Sequence, residues 1–283
     1  MAKILRGKEV TDALNEQLLA RAESLRQAGT VPCLAIVRVG ERPDDLAYEK
    51  GATTRSGKTG VEVQKFAYPE DITQEALIAE IEKINREDAI HGVLLFCPLP
   101  KHINEEVVRN ALSPEKDLDG ITEISQAGVY AGTGRGYPPC TAEACMEILH
   151  YYGIDPKGKN VAVIGRSQVI GKPVAMMLMQ EHATVTVCHT KTQDMAAICR
   201  DKDILIAAAG HRGTVTRDFL APGQTVIDVA INFDAEGNLC GDVDFAAAED
   251  IVAAVTPVPG GVGGVTTSIL MKHCIQAAER KQN

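Results

Sequence analysis

Two stretches of this 283-residue chain set residues in an order that suits a phosphorylated ligand. Val161-Ala162-Val163-Ile164 reads as a strand, Gly165-Arg166-Ser167 as a tight turn, and Gly171-Lys172-Pro173-Val174 as the opening of a helix. Strand, glycine turn and helix in that order can cradle a pyrophosphate. Glycines let the backbone come close, and the free N–H groups and dipole of a helix N-terminus favour negative charge. The spacing is G-x-S-x-x-x-G and not G-x-G-x-x-G, so pattern alone leaves a plain strand-to-helix turn open. One strand further on, Thr184 to Val187 leads into Cys188-His189-Thr190-Lys191. An NAD site places a carboxylate about 20 residues after the turn to hold the ribose hydroxyls. No acid stands at that strand end. The Thr190 hydroxyl with the cations of Arg166 and Lys191 suits a 2′-phosphate through charge-assisted hydrogen bonds, which predicts NADP, with NAD as the alternative. The competing reading is a solvated polar strand end.

These residues need a scaffold, and the hydrophobic pattern supplies one. Residues 8 to 28 read as an amphipathic helix through Val10, Leu14, Leu18, Leu19, Ala22 and Leu25, ending at Gly29. Pro32 to Val39 is a nearly continuous apolar run, as in a strand covered on both faces. A helix carrying Tyr48 runs to about Lys58, before Gly60; Val61 to Phe66 is a strand, 74 to 86 a helix, and Gly92 to Phe96 a strand ending at Pro98. A glycine-rich stretch from Gly128 to Tyr137 then marks a domain boundary at Pro139-Cys140-Thr141, and Ala142 to Tyr152 is helical. Strands at 160–164, 183–187, 203–207 and 225–229 alternate with helices beyond it. This rhythm predicts an α/β fold of parallel sheets with helices on both faces.

The bulk properties limit the partners. The length suits two domains, which invite a cleft. With 45% hydrophobic and 24% charged residues the chain belongs with globular proteins, not disordered ones. A formal net charge of -9 argues against nucleic acid, which selects a basic face. Cys33, Cys97, Cys140, Cys145, Cys188, Cys199, Cys240 and Cys274 form no C-x-x-C pair and no metal-ligand spacing with the histidines, so reduced thiols and no metal are expected. The N-terminus has no apolar segment of signal-peptide type and no run approaches the roughly 18 apolar residues of a membrane span, so no membrane association and a cytoplasmic setting are expected.

Further motifs recur in order: Pro98-Leu99-Pro100-Lys101-His102, Lys116-Asp117-Leu118-Asp119-Gly120, Pro139-Cys140-Thr141, the 165–173 loop, Cys188-His189-Thr190-Lys191-Thr192, and Thr256-Pro257-Val258-Pro259-Gly260-Gly261-Val262-Gly263. Together they resemble the methylenetetrahydrofolate dehydrogenase/cyclohydrolase family along essentially the whole chain. The resemblance implies two α/β domains flanking a cleft: a folate-binding catalytic domain over 1–141, and a Rossmann-type doubly wound parallel sheet for NAD(P) over 142–264. A last helix, 265–283, would return to the first domain. It further implies that Tyr48 and Asp119 are catalytic, with Asp119 hydrogen-bonding the pterin and Tyr48 lying against the folate. Phe96 would stand at the substrate, and Pro257, Gly260 and Gly261 would line the cleft near both ligands. Gly165, Arg166, Ser167, Gly171, Thr190, Lys191 and Ile231 would hold the cofactor. Tetrahydrofolate derivatives as substrates and a homodimer through the second domain are implied in the same way. Read without the resemblance, Asp119 is a turn residue and Pro257 to Gly264 a loop leading into a helix.

The sequence departs from the family pattern where its chemistry is concentrated. The family's Ser-x-x-Tyr-x-x-x-Lys motif stands here as Asp45-Leu46-Ala47-Tyr48-Glu49-Lys50-Gly51-Ala52, with Ala52 at the Lys position. The usual Gln before Leu-Pro-Leu-Pro is Phe96, the usual Pro after Gly-Val-Gly is Gly264, and Thr190 takes a place more often filled by Ser. The expected activity is hydride removal from 5,10-methylenetetrahydrofolate, with methenyl hydrolysis weak or absent. A bifunctional dehydrogenase/cyclohydrolase is the alternative, and a folate or nucleotide binder without catalysis the third.

Overall fold

The computed structural model describes residues 1–282. In chain order its elements are β1 (Lys3–Ile4), α1 (Gly7–Gln27), β2 (Cys33–Val39), α2 (Pro43–Thr59), β3 (Glu62–Tyr68), α3 (Gln74–Arg86), β4 (Gly92–Leu95), α4 (Glu105–Asn110), α5 (Glu123–Ala131), α6 (Cys140–Tyr151), β5 (Asn160–Ile164) and α7 (Gly171–Gln180). They continue as β6 (Thr184–Cys188), α8 (Met195–Arg200), β7 (Ile204–Ala207), β8 (Thr225–Asp228), β9 (Asn232–Phe233), β10 (Leu239–Cys240), α9 (Phe245–Ile251), β11 (Ala254–Val255) and α10 (Gly263–Gln282). The chain divides into two compact units. One holds Met1–Asp12 and Thr141–Thr266, and the other Ala13–Cys140 with the described residues from Thr267 onward.

The second of these units is built on a parallel sheet in the order β3-β2-β4, with Leu34 paired to both Val63 and Gly92. Its central strand is apolar because both faces are covered. Leu34 to Val37 have no exposed surface, and Ala35 and Val37 share a core with Leu77 and Ile81 of α3 and Val108 of α4. Each such large side chain contributes about 1.5–3 kcal/mol by leaving water. Helix α3 begins where the Thr73 hydroxyl accepts the Ala76 N–H at 3.2 Å, and its Leu77, Ile81 and Ile84 fall on one face. The later part of α10 belongs here too, tied by an Arg21–Glu279 ion pair at 2.6 Å and a Ser268–Asn15 hydrogen bond at 3.0 Å.

The other unit carries six parallel strands in the order β1-β11-β8-β7-β5-β6, and Ile164, Leu205, Ala207 and Val226 lie in its core. Strand β5 pairs with β6 on one side and β7 on the other, so the winding reverses at β5. In doubly wound sheets the crevice at the carboxyl end of such a strand is where ligands bind. The Gly165 turn occupies that end.

Residues 1–12, expected in the folate-binding domain, instead join the six-stranded unit. Lys3 and Ile4 pair with Ala254 and Val255, and the Gly7 N–H donates to Gly260 O at 2.8 Å. A two-residue strand has no periodicity to read. Of the glycine-rich stretch expected as a loop, Gly128 to Ala131 instead close helix α5, while the division between the units falls between Cys140 and Thr141, within Pro139-Cys140-Thr141. Of the expected last helix, Asn283 lies outside the described residues.

Candidate active site

Four of the sequence-predicted residues come together in the unit of the three-stranded sheet. Tyr48 and Ala52 are one turn apart on α2, on the face that also buries Asp45, Ser56 and Thr59. Phe96 follows β4 directly, held by its N–H on Val37 O at 3.0 Å. Its ring meets Tyr48 edge to face, with centroids 5.7 Å apart and planes at 85°. Asp119 sits in the Asp117–Gly120 turn. That turn is shaped by Asp117, whose carboxylate accepts the N–H groups of Ile121 and Thr122 at 3.0 and 2.8 Å.

Asp119 is itself oriented. The Cys140 N–H donates to its Oδ1 at 3.1 Å, and the neighbouring Leu118 carbonyl meets His273 Nδ1 at 2.7 Å. Burial pushes the Asp119 carboxyl above its ordinary pKa, against the pull of the Cys140 donors. The Tyr48 hydroxyl is pushed well above its usual range by burial first and by the Asp119 charge second. Tyr48 therefore stays a protonated donor near neutral pH, in electrostatic contact with the Asp119 carboxyl. Such a pair, walled by the Phe96 ring, can hold a flat polar heterocycle by stacking and by its N–H edge.

The departures from the family pattern have a clear geometry. Ala52 is fully buried, Phe96 is only 9% exposed, and Lys50 points to solvent. Arg55 reaches Thr267 Oγ1 at 3.4 Å. Asp45 pairs with Arg42 at 3.3 Å, and Arg42 also donates to Pro98 O at 2.7 Å. No lysine amine is thus presented from the α2 face that carries Tyr48.

The cofactor candidates lie on the six-stranded unit. Gly165 has φ of +123°, and a Cβ there would stand 2.1 Å from Ala208 O; one on Gly171 would stand 2.2 Å from Gly165 O. Only glycine permits this close turn. The Ser167 hydroxyl accepts the Ile170 N–H at 3.1 Å, linking the turn to the start of α7. Arg166 and Ser167 are exposed, as are Thr190 and Lys191 in a turn closed by His189 N–H to Thr192 Oγ1 at 2.9 Å. Their side chains are available to a ligand.

Ile231, 62% exposed, lines a cavity of about 210 Å³ together with Asp228, Pro257, Gly260 and Gly261. The last three were expected to line the cleft near both ligands, and they line this cavity with Ile231. Their loop is pinned from the N-terminus, since a Cβ on Gly7 would meet Gly261 O at 2.1 Å. Burial pushes the Asp228 carboxyl up to about 7, while the backbone N–H groups of Val243 and Asp242 pull the other way. Sequence reading did not single out Asp228 or Asp242. Two aspartates ending unremarkable apolar stretches give no signal until the fold places them.

One unit with a parallel sheet and a glycine turn at its switch point, and another α/β unit carrying Tyr48, Phe96 and Asp119 together, define a two-unit dinucleotide-dependent enzyme. The chain belongs to the tetrahydrofolate dehydrogenase/cyclohydrolase family: residues 5–119 match that family's catalytic domain and residues 139–282 its NAD(P)-binding domain. A bifunctional protein FolD of Alkaliphilus oremlandii is 47% identical over 283 residues, covering 100% of this chain and 99% of the relative. The crystal structure of the bifunctional FolD methylenetetrahydrofolate dehydrogenase/cyclohydrolase of Campylobacter jejuni superposes with a TM-score of 0.96 at 34% identity, over 99% of this chain and 100% of that one. The Trypanosoma brucei dehydrogenase-cyclohydrolase, solved with NADP cofactor and an inhibitor, gives 0.92 at 35% identity over 100% and 99%.

Proposed function

We propose that this enzyme oxidises 5,10-methylenetetrahydrofolate to 5,10-methenyltetrahydrofolate with NADP, and hydrolyses the methenyl product weakly or not at all. The single observation behind the second half is Ala52, fully buried one turn from Tyr48, at the position where the resemblance implies the family's lysine. The names of the relatives favour the other reading, a bifunctional dehydrogenase and cyclohydrolase, which stands as the alternative. Initial rates of methylene oxidation and of methenyl decay, taken on one preparation, separate the two. The homodimer and cytoplasmic setting implied by the resemblance belong to the same proposal.

The residues present fit the dinucleotide. Gly165 and Gly171 leave room where any Cβ would collide with backbone, and the turn leads into the N-terminus of α7. Arg166, Thr190 and Lys191 would hold the 2′-phosphate, and Ile231 would lie against the nicotinamide. When bound, NADP supplies the acceptor for the substrate's hydride. The rest is positioning: Asp119 accepts from the pterin edge, Tyr48 and Phe96 pack against its ring, and together they exclude water from the reacting carbon. The folate's own nitrogens stabilise the cation left behind, so this step asks no proton transfer of the protein.

Replacing Arg166 by Ala is expected to lower the NADP-to-NAD ratio of kcat/KM by about tenfold, the low end for a charge-assisted contact, because Arg166 is exposed. Steady-state kinetics with both cofactors measure it. An unchanged ratio would remove Arg166 from the phosphate site.

A further inference from the structure

Asp242 has no role in the reading above, yet it is fully buried and accepts four hydrogen bonds. Its Oδ2 takes the N–H groups of Ala209 and Gly210 at 2.7 and 3.0 Å, and its Oδ1 takes the His211 N–H at 2.7 Å and Asn232 Nδ2 at 3.0 Å. Three successive amides turned onto one carboxylate fix the shape of the loop that follows β7. That loop starts at Ala208, whose carbonyl occupies the space a Cβ on Gly165 would need. The fourth donor, Asn232, directly follows Ile231.

The carboxylate is anchored in turn. The Asp242 N–H donates to Asp228 Oδ1 at 3.1 Å, and the Val243 N–H to Asp228 Oδ2 at 3.0 Å. Gly241 is required between them, since a Cβ there would stand 1.9 Å from Asp228 Oδ2. The Asp228 N–H donates to Thr256 Oγ1 at 2.7 Å, immediately before the Pro257–Gly261 loop. Asp242 and Asp228 together therefore connect the backing of the Gly165 turn, the residue after Ile231 and the lining of the 228–264 cavity.

We propose that Asp242 is a positioning residue for cofactor binding, holding the Ala208–His211 loop against the Gly165 turn and tethering the Ile231 segment through the Asn232 side chain. The inference rests on the NADP reading above. All four partners are donors, so an amide in place of the carboxylate turns its NH2 toward at least one N–H and leaves that donor unpaired. A residue that only stabilised the fold would weaken both ligands alike. A positioning residue weakens NADP selectively and loosens the loop before any ligand is added.

The test compares the native protein with Asp242→Asn, at a temperature where circular dichroism shows both folded. Amide hydrogen exchange is read without cofactor, and binding of NADP and of tetrahydrofolate by calorimetry. Exchange at Ala209, Gly210 and His211 is expected to quicken by about tenfold or more, and the Kd for NADP to rise by a similar factor. The Kd for tetrahydrofolate should stay within about threefold. An unchanged NADP affinity in the folded variant, or equal losses for both ligands, overturns the proposal. Should the native protein bind no NADP, the cofactor reading fails, whereas unprotected loop amides in the native protein would defeat the role of Asp242 itself. If Asp242→Asn does not fold, Asn232→Ala removes one donor and should weaken NADP by about threefold. No change there counts against the proposal.

Discussion

Methenyltetrahydrofolate mixed with this protein is expected to decay little faster than it does alone, while the same preparation oxidises methylenetetrahydrofolate. The two reactions ask different things of the residues around Tyr48. Hydride removal makes the cation without moving a proton through the protein. Hydrolysis adds water to that cation, removes a proton from the water, and protonates a nitrogen as the ring opens. Positioned acid–base groups contribute ~10²–10⁴-fold to such a step. Ala52 offers no proton, and Phe96 no hydrogen bond. The neighbours do not replace them: Lys50 faces solvent, and Arg55 reaches Thr267 Oγ1 with a guanidinium that carries donors and no acceptor. Tyr48 is held protonated by burial and by the Asp119 charge, so it has no free phenolate to take a proton from water. Decay of the methenyl absorbance, with the spontaneous rate subtracted, measures the outcome. The double change Ala52→Lys with Phe96→Gln should restore part of the hydrolysis, because it returns both a proton carrier and its hydrogen-bonding neighbour.

Asp119→Ala should lower kcat/KM for the folate substrate roughly 10- to 150-fold, the equivalent of losing a charged acceptor worth about 1.5–3 kcal/mol. The loss has two parts. The pterin edge loses its acceptor, and the Cys140 N–H loses the partner it now has at 3.1 Å. Asp119→Asn separates them, because its carbonyl oxygen can keep the Cys140 bond while its amide cannot accept from the pterin. Both variants should keep the NADP affinity of the native protein, since Asp119 and the cofactor turn lie in different units. Calorimetry with NADP alongside steady-state kinetics checks this. An equal fall in cofactor affinity would mean that the fold, not the pterin contact, was lost.

Most of the α/β architecture was legible because its strands and helices carry strong local patterns. The β2 run from Cys33 to Val39 and the β5 run from Val161 to Ile164 are continuous apolar stretches, and α3 shows its buried face every third or fourth residue. Element ends shifted by a residue or two, as at Thr184–Cys188, where caps and hydrogen bonds decide what patterning cannot. What escaped was short or long-range. Strand β1 has two residues, and α4 and α5 have 6 and 9, too few to establish a period. The glycine turn was visible from its place between strand and helix. Asp228 and Asp242 were not, because their meaning lies in backbone amides brought to them by the fold, 14 to 33 positions away. Tyr48, Phe96 and Asp119 could be named only through the family motifs, since their separation along the chain carries no pattern of its own.

The central claim is that one site keeps the oxidation and loses the hydrolysis. The most direct measurement follows reduced nicotinamide and methenyltetrahydrofolate together, in one reaction started with methylenetetrahydrofolate and NADP. The account predicts that the two products rise in equal amounts and that methenyl then falls at its spontaneous rate, whatever the enzyme concentration. Methenyl that never accumulates, with its loss scaling with added enzyme as fast as nicotinamide is reduced, would contradict it.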